Sequence, residues 1–337
     1  TYPTATTVRN VLPTIKPPTP VPDKPQPTDS SVIYAEKVWR GTAPTGTKIT
    51  FELQRAAKGT ENCTKVQSAV LDGNTDSSIG SFGEYAPWKY KWTDLPEQVN
   101  GKYVEYRVIE TSATDGWIIS STDLLAKTDA GSEYPLYMII NVPKTSLTVT
   151  KNWIETEQLN HAPVTVQLYR QLDGENEELL EGRTAQLSSE AGWNTTFTEI
   201  PLCDKYGREY KYFVKEISET EGFNAKYSDV QKANSKFSQT VYNVENIDVS
   251  IKKVWRDEES QNRPSIKLQL ESKLGEGNWV VTDVQTPLPE KNGSVWTYTY
   301  RKLLKYDTNG NMYQYRVKEI PVEGYVSTDG YVTNGGT

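Results

Sequence analysis

The chain has 337 residues, enough for two or three domains of ordinary size and too many for one core. Its 21 Tyr, 9 Trp, 19 Pro and 22 Gly against 2 Met favour strands broken by turns, so the fold class is all-β. A formal charge of −7 with no concentration of Lys or Arg excludes the basic footprint that nucleic acid or an anionic membrane surface requires, and no apolar run nears the roughly 20 residues of a membrane span.

Taken in chain order, Thr7-Val8-Arg9-Asn10-Val11 reads as a strand at residues 1–11 that no lysine or glutamate mark precedes. Residues 12–30 are Pro-rich (Lys16-Pro17-Pro18, Pro20, Pro22, Pro25, Pro27) and predict an extended connector, up to about 60 Å long at roughly 3.1 Å per residue. From residue 31 the chain repeats itself. Lys-x-Trp opens each repeat, at Lys37-Val38-Trp39, Lys151-Asn152-Trp153 and Lys253-Val254-Trp255. Next comes an aromatic pair four apart: Trp88 with Trp92, Trp193 with Phe197, Trp296 with Tyr300. Tyr-x-Val-x-Glu follows, ending at Glu110, Glu216 and Glu319, which stand 22, 23 and 23 residues after the first aromatic. A Gly-aromatic step then marks a turn at Gly116-Trp117, Gly222-Phe223 and Gly324-Tyr325.

The first two repeats close on strand-like runs interrupted by an asparagine, Ile139-Ile140-Asn141-Val142 and Val241-Tyr242-Asn243-Val244. Leu147 to Lys151, Val164 to Tyr169 and Tyr210 to Val214 alternate as strands with one wet and one buried face. Asp72-Gly73, Asp173-Gly174 and Asn309-Gly310 are turn signals. The repeats therefore span residues 31–145, 146–246 and 247–337, each the size of an immunoglobulin-like β-sandwich of some seven strands. Short joints at 144–146 and 245–248 predict a stiff rod.

Catalytic and metal signatures are missing. Cys63 and Cys203 fall in different repeats and form no disulfide framework, and His161, the sole histidine, reads as a solvated loop residue. There is no phosphate loop or nucleophile–base pair, and Asp72 to Asp76 and Asp307 to Asn311 lack the EF-hand pattern, so no cofactor and no metal are expected. A turnover enzyme is not expected.

The remaining chemistry lies in lysine on a first strand, asparagine on a last strand and glutamate between them. Buried together, the lysine is driven toward the neutral amine and the glutamate toward the protonated acid. A neutral amine attacks a carboxamide carbon while the acid hydrogen-bonds the carbonyl and shuttles protons, so that ammonia leaves and an isopeptide remains. Neighbouring aromatics such as Trp39 and Trp153 would keep the pair dry.

With these marks, the repeats from residue 31 onward resemble Cna-B-type (collagen-adhesin B-like) domains of Gram-positive surface adhesins and pilins; Tyr-x-Val-x-Glu followed by Gly-aromatic resembles the pilin E-box. The resemblance implies isopeptide bonds Lys37–Asn141 and Lys151–Asn243, with Glu110 and Glu216 as the catalytic glutamates, in an extracellular fibre subunit. No Tyr-Pro-Lys or Leu-Pro-x-Thr-Gly motif is present, which leaves sortase-driven polymerisation in doubt.

Lys253 and Glu319 lack a closing asparagine, because the spacing of the other repeats puts it at 346–350. Counting from Glu319 to residue 337 and on from residue 1 to Asn10 gives 28 residues, within the range of the complete repeats. Two explanations remain open. The strand of Asn10 completes the third sandwich of another subunit, giving a head-to-tail homopolymer with an Asn10–Lys253 bond, or the chain is cut out of phase from a longer repeat protein. A stalk or ligand-binding module of an adhesin, with aromatics such as Tyr85, Trp88 and Tyr90 meeting a host protein or glycan, is the alternative function.

Overall fold

A computed structural model describes residues 31–73, 88–129, 131–257, 262–328 and 330–333. The strand of Asn10, the Pro-rich connector and Tyr85 lie outside the described residues. The described elements are strands, as the composition requires.

Each repeat is a sandwich around its own core. The opening strands are Ser31–Trp39 in the first repeat and, in the second, the C-terminal half of Ser132–Ile154, after Thr145. Ile33, Ala35 and Lys37 follow at period two toward one core, and Leu147, Val149 and Lys151 do the same toward the next. Lysine thus occupies a position that the pleat assigns to the interior. Each opening strand pairs antiparallel with the strand bearing the aromatic pair, Lys89–Leu95 or Asn194–Pro201, and in parallel with a closing strand. Facing them is a second sheet in each repeat, built on Ile49–Ala57 with Lys102–Glu110, Val164–Gln171 with Lys211–Glu216, and Leu268–Leu274 with Tyr313–Glu319.

The expected joints are not connectors. Ser132–Ile154 is one strand that closes the first repeat and opens the second, and Lys236–Val254 does the same for the second and third. The ladder continues through both joints because Lys144 and Thr145 pair with Pro201 and Ile200, and Asn246 and Ile247 with Leu304 and Leu303. One sheet therefore runs through all three repeats. Hairpins brace the joints from the side: Leu202 N–H donates to Pro143 O at 2.8 Å, and Lys305 N–H donates to Glu245 O at 2.9 Å.

The pleat also explains Tyr-x-Val-x-Glu. Its three named residues share one strand face. Val108, Val214 and Val317 enter the cores, while Tyr106, Tyr212 and Tyr315 each donate a hydroxyl hydrogen bond to a carbonyl ten or eleven residues upstream, on Pro96, Pro201 and Leu304. The glutamates then fall at the strand ends, on the same inward face.

Candidate functional site

Lysine and asparagine come from one sheet, and glutamate from the facing sheet. In the parallel ladder Lys37 is opposite Ile139 and Trp39 opposite Asn141; Lys151 is opposite Val241 and Trp153 opposite Asn243. Each asparagine thus lies two residues past the partner of its lysine and on the same face. The antiparallel neighbour fixes the other side: Lys37 N–H donates to Trp88 O and Lys151 N–H to Trp193 O, both at 2.8 Å. Trp88 and Trp193 hold φ of 68° and 55°, a left-handed conformation that is strained for a bulky residue.

In the first repeat Lys37 Nζ donates to Glu110 Oε2, Asn141 Nδ2 donates to Glu110 Oε1 at 3.5 Å, and the side chains of Lys37 and Glu110 are both fully buried. Burial pulls the Lys37 amine from near 10.5 down to about 8, against the opposing attraction of Glu110. In the second repeat Asn243 Nδ2 donates to Glu216 Oε1 at 3.1 Å, and Lys151 Nζ donates to Asn152 O at 3.2 Å. With Glu216 acting on it only through space, burial takes the Lys151 amine down to about 7. Both lysines lie against the indole two residues on, with Nζ 4.8 Å from the Trp39 centroid and 4.1 Å from that of Trp153.

Asn141 Oδ1 and Asn243 Oδ1 are buried without a hydrogen-bond partner, a costly state for a carbonyl. Rotating each amide would turn that oxygen toward the glutamate, where a carboxylic acid proton would satisfy it.

Sequence reading missed the hydroxyls around the glutamates. Ser112 and Ser218, each two residues past the glutamate, stand 3.4 and 3.5 Å from its Oε1 and also accept an N–H from Thr50 and Thr165. Thr220 accepts from Asn243 Nδ2 at 3.3 Å. A Glu-x-Ser signal was available in the first two repeats; the third has Pro321 at that place.

In the third repeat Lys253 and Glu319 pair at 2.9 Å, but their side chains keep 16% and 14% exposure. The cause is an open edge. Residues 246–254 pair with Val295–Leu304 on one side, and among the described residues no strand lies on the other.

Three other expectations meet the structure here. His161 is not a solvated loop residue: its side chain is 9% exposed and stacks on Trp153. Trp88 and Tyr90 pack against the first core instead of standing free for a ligand. Cys63 and Cys203 are both free thiols. Among the described residues no group of His, Cys, Asp or Glu could hold a metal ion, and no helix is long and apolar enough to cross a membrane.

Comparison with known proteins finds one family in three tandem segments. The family described as Cna protein B-type domain matches residues 33–124, 147–246 and 249–336. A collagen adhesin of Staphylococcus aureus is 27% identical over 303 residues, which is 90% of this chain and 23% of that protein, so the chain spans about a quarter of its relative's length. Among solved structures, two B repeat units of the collagen binding protein of Staphylococcus aureus are 25% identical, with 90% of this chain and 73% of that one covered at a TM-score of 0.24. A Streptococcal ancillary pilin is 14% identical, with 91% and 95% covered at a TM-score of 0.26. The chain belongs to the Cna protein B-type domain family, which it matches in three tandem segments.

Proposed function

We propose that this chain is a tension-bearing segment of an extracellular fibre or adhesin stalk on a Gram-positive cell surface, stiffened by isopeptide bonds that it makes itself. The observation that carries the reading is the register shared by two sites: a buried lysine, an asparagine two residues past its strand partner, and a glutamate from the opposite sheet. Proton transfer from Lys37 to Glu110 gives an amine and a carboxylic acid within one hydrogen bond. The amine nitrogen attacks Asn141 Cγ, and Glu110 donates its proton to the carbonyl oxygen. Glu110 then relays the lysine nitrogen's surplus proton to Nδ2, and collapse of the tetrahedral carbon breaks the bond to Nδ2, which leaves as ammonia while Glu110 takes back the hydroxyl proton as the carbonyl re-forms. Lys151, Asn243 and Glu216 repeat the sequence of steps. Each site reacts once, so the chain is not an enzyme acting on a substrate.

The bonds join opening to closing strands, which are continuous between repeats. Asn141 and Lys151 are ten residues apart, as are Asn243 and Lys253, a span of roughly 33 Å in extended strand. Force entering the first strand would pass along these segments and bypass the rest of each sandwich. The bonds would close loops of about 90 to 105 residues, adding about 4 to 5 kcal/mol by analogy with a disulfide of that span.

The open edge beside Lys253 supports strand donation in the third repeat. An Asn-bearing strand such as Thr7–Val11 of another copy fits it, giving an Asn10–Lys253 bond and a head-to-tail homopolymer. One observation favours a second reading: the matched collagen adhesin is about four times as long as the aligned segment, so the strand would come from further along one polypeptide, in an adhesin whose host ligand is a protein or glycan.

Intact mass tests the internal bonds. The chain is expected to be lighter than its sequence by one ammonia for each bond, and an unchanged mass would sink the reading. Boiling assembled material in denaturant tests donation: a ladder that Lys253→Ala abolishes supports it, and monomer alone rejects it.

A further inference from the structure

In the second repeat the indole of Trp153 lies between two groups. Lys151 Nζ is 4.1 Å from its centroid, and the His161 imidazole is stacked at 3.5 Å with planes 7° from parallel. Two groups that close cannot share one face, so amine and imidazole occupy opposite faces. His161 Nε2 lies 3.0 and 3.1 Å from the two oxygens of Glu155, which also accepts Leu159 N–H at 3.2 Å. Phe223 meets both rings edge-on, at 5.2 and 5.3 Å. Less than a tenth of either paired side chain reaches solvent.

The third repeat builds the same closure from other residues. Glu155 and His161 stand two and eight residues after Trp153; Asp257 and Arg263 stand two and eight after Trp255. Arg263 bonds both Asp257 oxygens, Tyr325 donates to Asp257 at 3.3 Å, and the Tyr325 ring meets Trp255 edge-on at 4.8 Å. The first repeat has Gly41 and Thr47 at those offsets and no ion pair between them. There the larger Trp117 replaces Phe223 and Tyr325, 4.9 Å from Trp39. A Cβ on Gly41 would lie 3.1 Å from Trp117 Cη2, so the bigger indole fills the ground that a hydrogen-bonded pair of side chains closes in the other two repeats.

One place closed in three chemical ways is not an incidental loop contact. We propose that Glu155 and His161 form a clasp that presses Trp153 onto Lys151 and keeps water from the amine, which makes them positioning residues for the Lys151–Asn243 condensation. The second half of that statement rests on the isopeptide reading above. The first half stands without it. Trp193 and Phe223 meet the ring edge-on, at 5.5 and 5.2 Å, so without the imidazole the face turned away from the amine would lie uncovered and the amine would gain a path to solvent.

The test uses the full chain with Asn243→Ala, in which Lys151 stays an amine whether or not the native pair reacts. Acylation of Lys151 by an acetyl N-hydroxysuccinimide ester is followed by peptide mass spectrometry, with exposed Lys226 as internal reference. His161→Gln is expected to speed labelling of Lys151 about tenfold or more through local opening, and His161→Arg, the residue type used in the third repeat, to return it to within about twofold. With Asn243 intact, His161→Gln should leave part of the chain heavier by one ammonia, and His161→Arg should not. Should His161→Gln fail to fold, Glu155→Gln keeps the stacked ring and replaces only its carboxyl partner. Unchanged Lys151 labelling in both variants, or failure of His161→Arg to restore protection, overturns the clasp. Missing ammonia loss in the unsubstituted chain overturns the bond, while the labelling series still decides the clasp.

Discussion

Asn243 lies one strand over from Lys151 and two residues past its ladder partner, and Asn141 stands in the same relation to Lys37. For the proposed bond the parallel pairing would make this offset productive, because an extended lysine side chain that leans along its strand would reach toward the carboxamide of the next. Glutamate then needs only to arrive from the facing sheet.

Removing that glutamate should uncouple the two sites. Glu216→Ala is expected to leave the Lys37–Asn141 bond intact and to abolish Lys151–Asn243, so intact mass should rise by one ammonia after correction for the substitution. Thermal denaturation should show the second repeat losing about 4 to 5 kcal/mol, the loop-closure contribution of a bond of that span. A mass deficit that survives Glu216→Ala would remove the glutamate from the chemistry.

Acid–base linkage gives a second expectation. With Asn243→Ala, Lys151 remains an amine whose pKa falls from near 10.5 unfolded to about 7 folded. Between those values the unfolded chain binds a proton that the folded chain does not, so stability should rise with pH from about 7 to about 10 and level off below. Urea midpoints measured across that range provide the check. In the bonded chain the nitrogen is an amide and that slope should be gone; an equal slope in both would contradict the assignment to Lys151.

Glycine substitutions separate packing from backbone strain. A Cβ at Gly73 would lie 2.6 Å from Trp88 Cζ2, whereas one at Gly46 meets nothing within 4 Å, and both residues have positive φ, +77° and +73°. Gly73→Ala should therefore cost about 1 to 3 kcal/mol more than Gly46→Ala, the usual range for overpacking. Near-ultraviolet circular dichroism should change only in Gly73→Ala, because Trp88 borders the Lys37 site and must move. Equal melting temperatures would show that Trp88 yields without cost.

The second joint offers a mechanical test. Lys305 Nζ donates to Glu245 Oε1 at 2.6 Å and Tyr306 OH lies 2.9 Å from Thr156 Oγ1, tying the third-repeat hairpin to the second repeat. Both Lys305 and Glu245 are partly exposed, so Lys305→Ala should cost under about 1 kcal/mol. Spin labels placed in the second and third repeats should nonetheless give a broader distance distribution by dipolar electron resonance. An unchanged width would assign the stiffness of the joint to the continuous strand alone.

Much of this was legible in the residues. Lys-x-Trp and Tyr-x-Val-x-Glu carry their own period-two logic, and three copies at matched spacing located the lysines and glutamates without any structure. His161 was misread because a polar residue between Asn160 and Ala162 has no local signal of burial. Its place is set by Trp153, eight residues earlier, and Phe223, sixty-two residues later. The short joints predicted a stiff rod, but not that one strand runs through each of them: the backbone groups of Pro143, Lys144 and Thr145 are paired by Leu202, Pro201 and Ile200, some fifty-five residues later in the chain.

The sequence by itself determined the all-β class, the three repeats and which lysines and glutamates recur, because alternation and motif spacing are local properties of a strand. Tertiary structure decided the two-residue offset of asparagine, the unbroken strands between repeats, the contact of His161 with Trp153 and Glu155, and the open edge beside Lys253. Those depend on which distant strands share a ladder and which edges remain unpaired, and pairing between segments about a hundred residues apart leaves no mark on either segment alone.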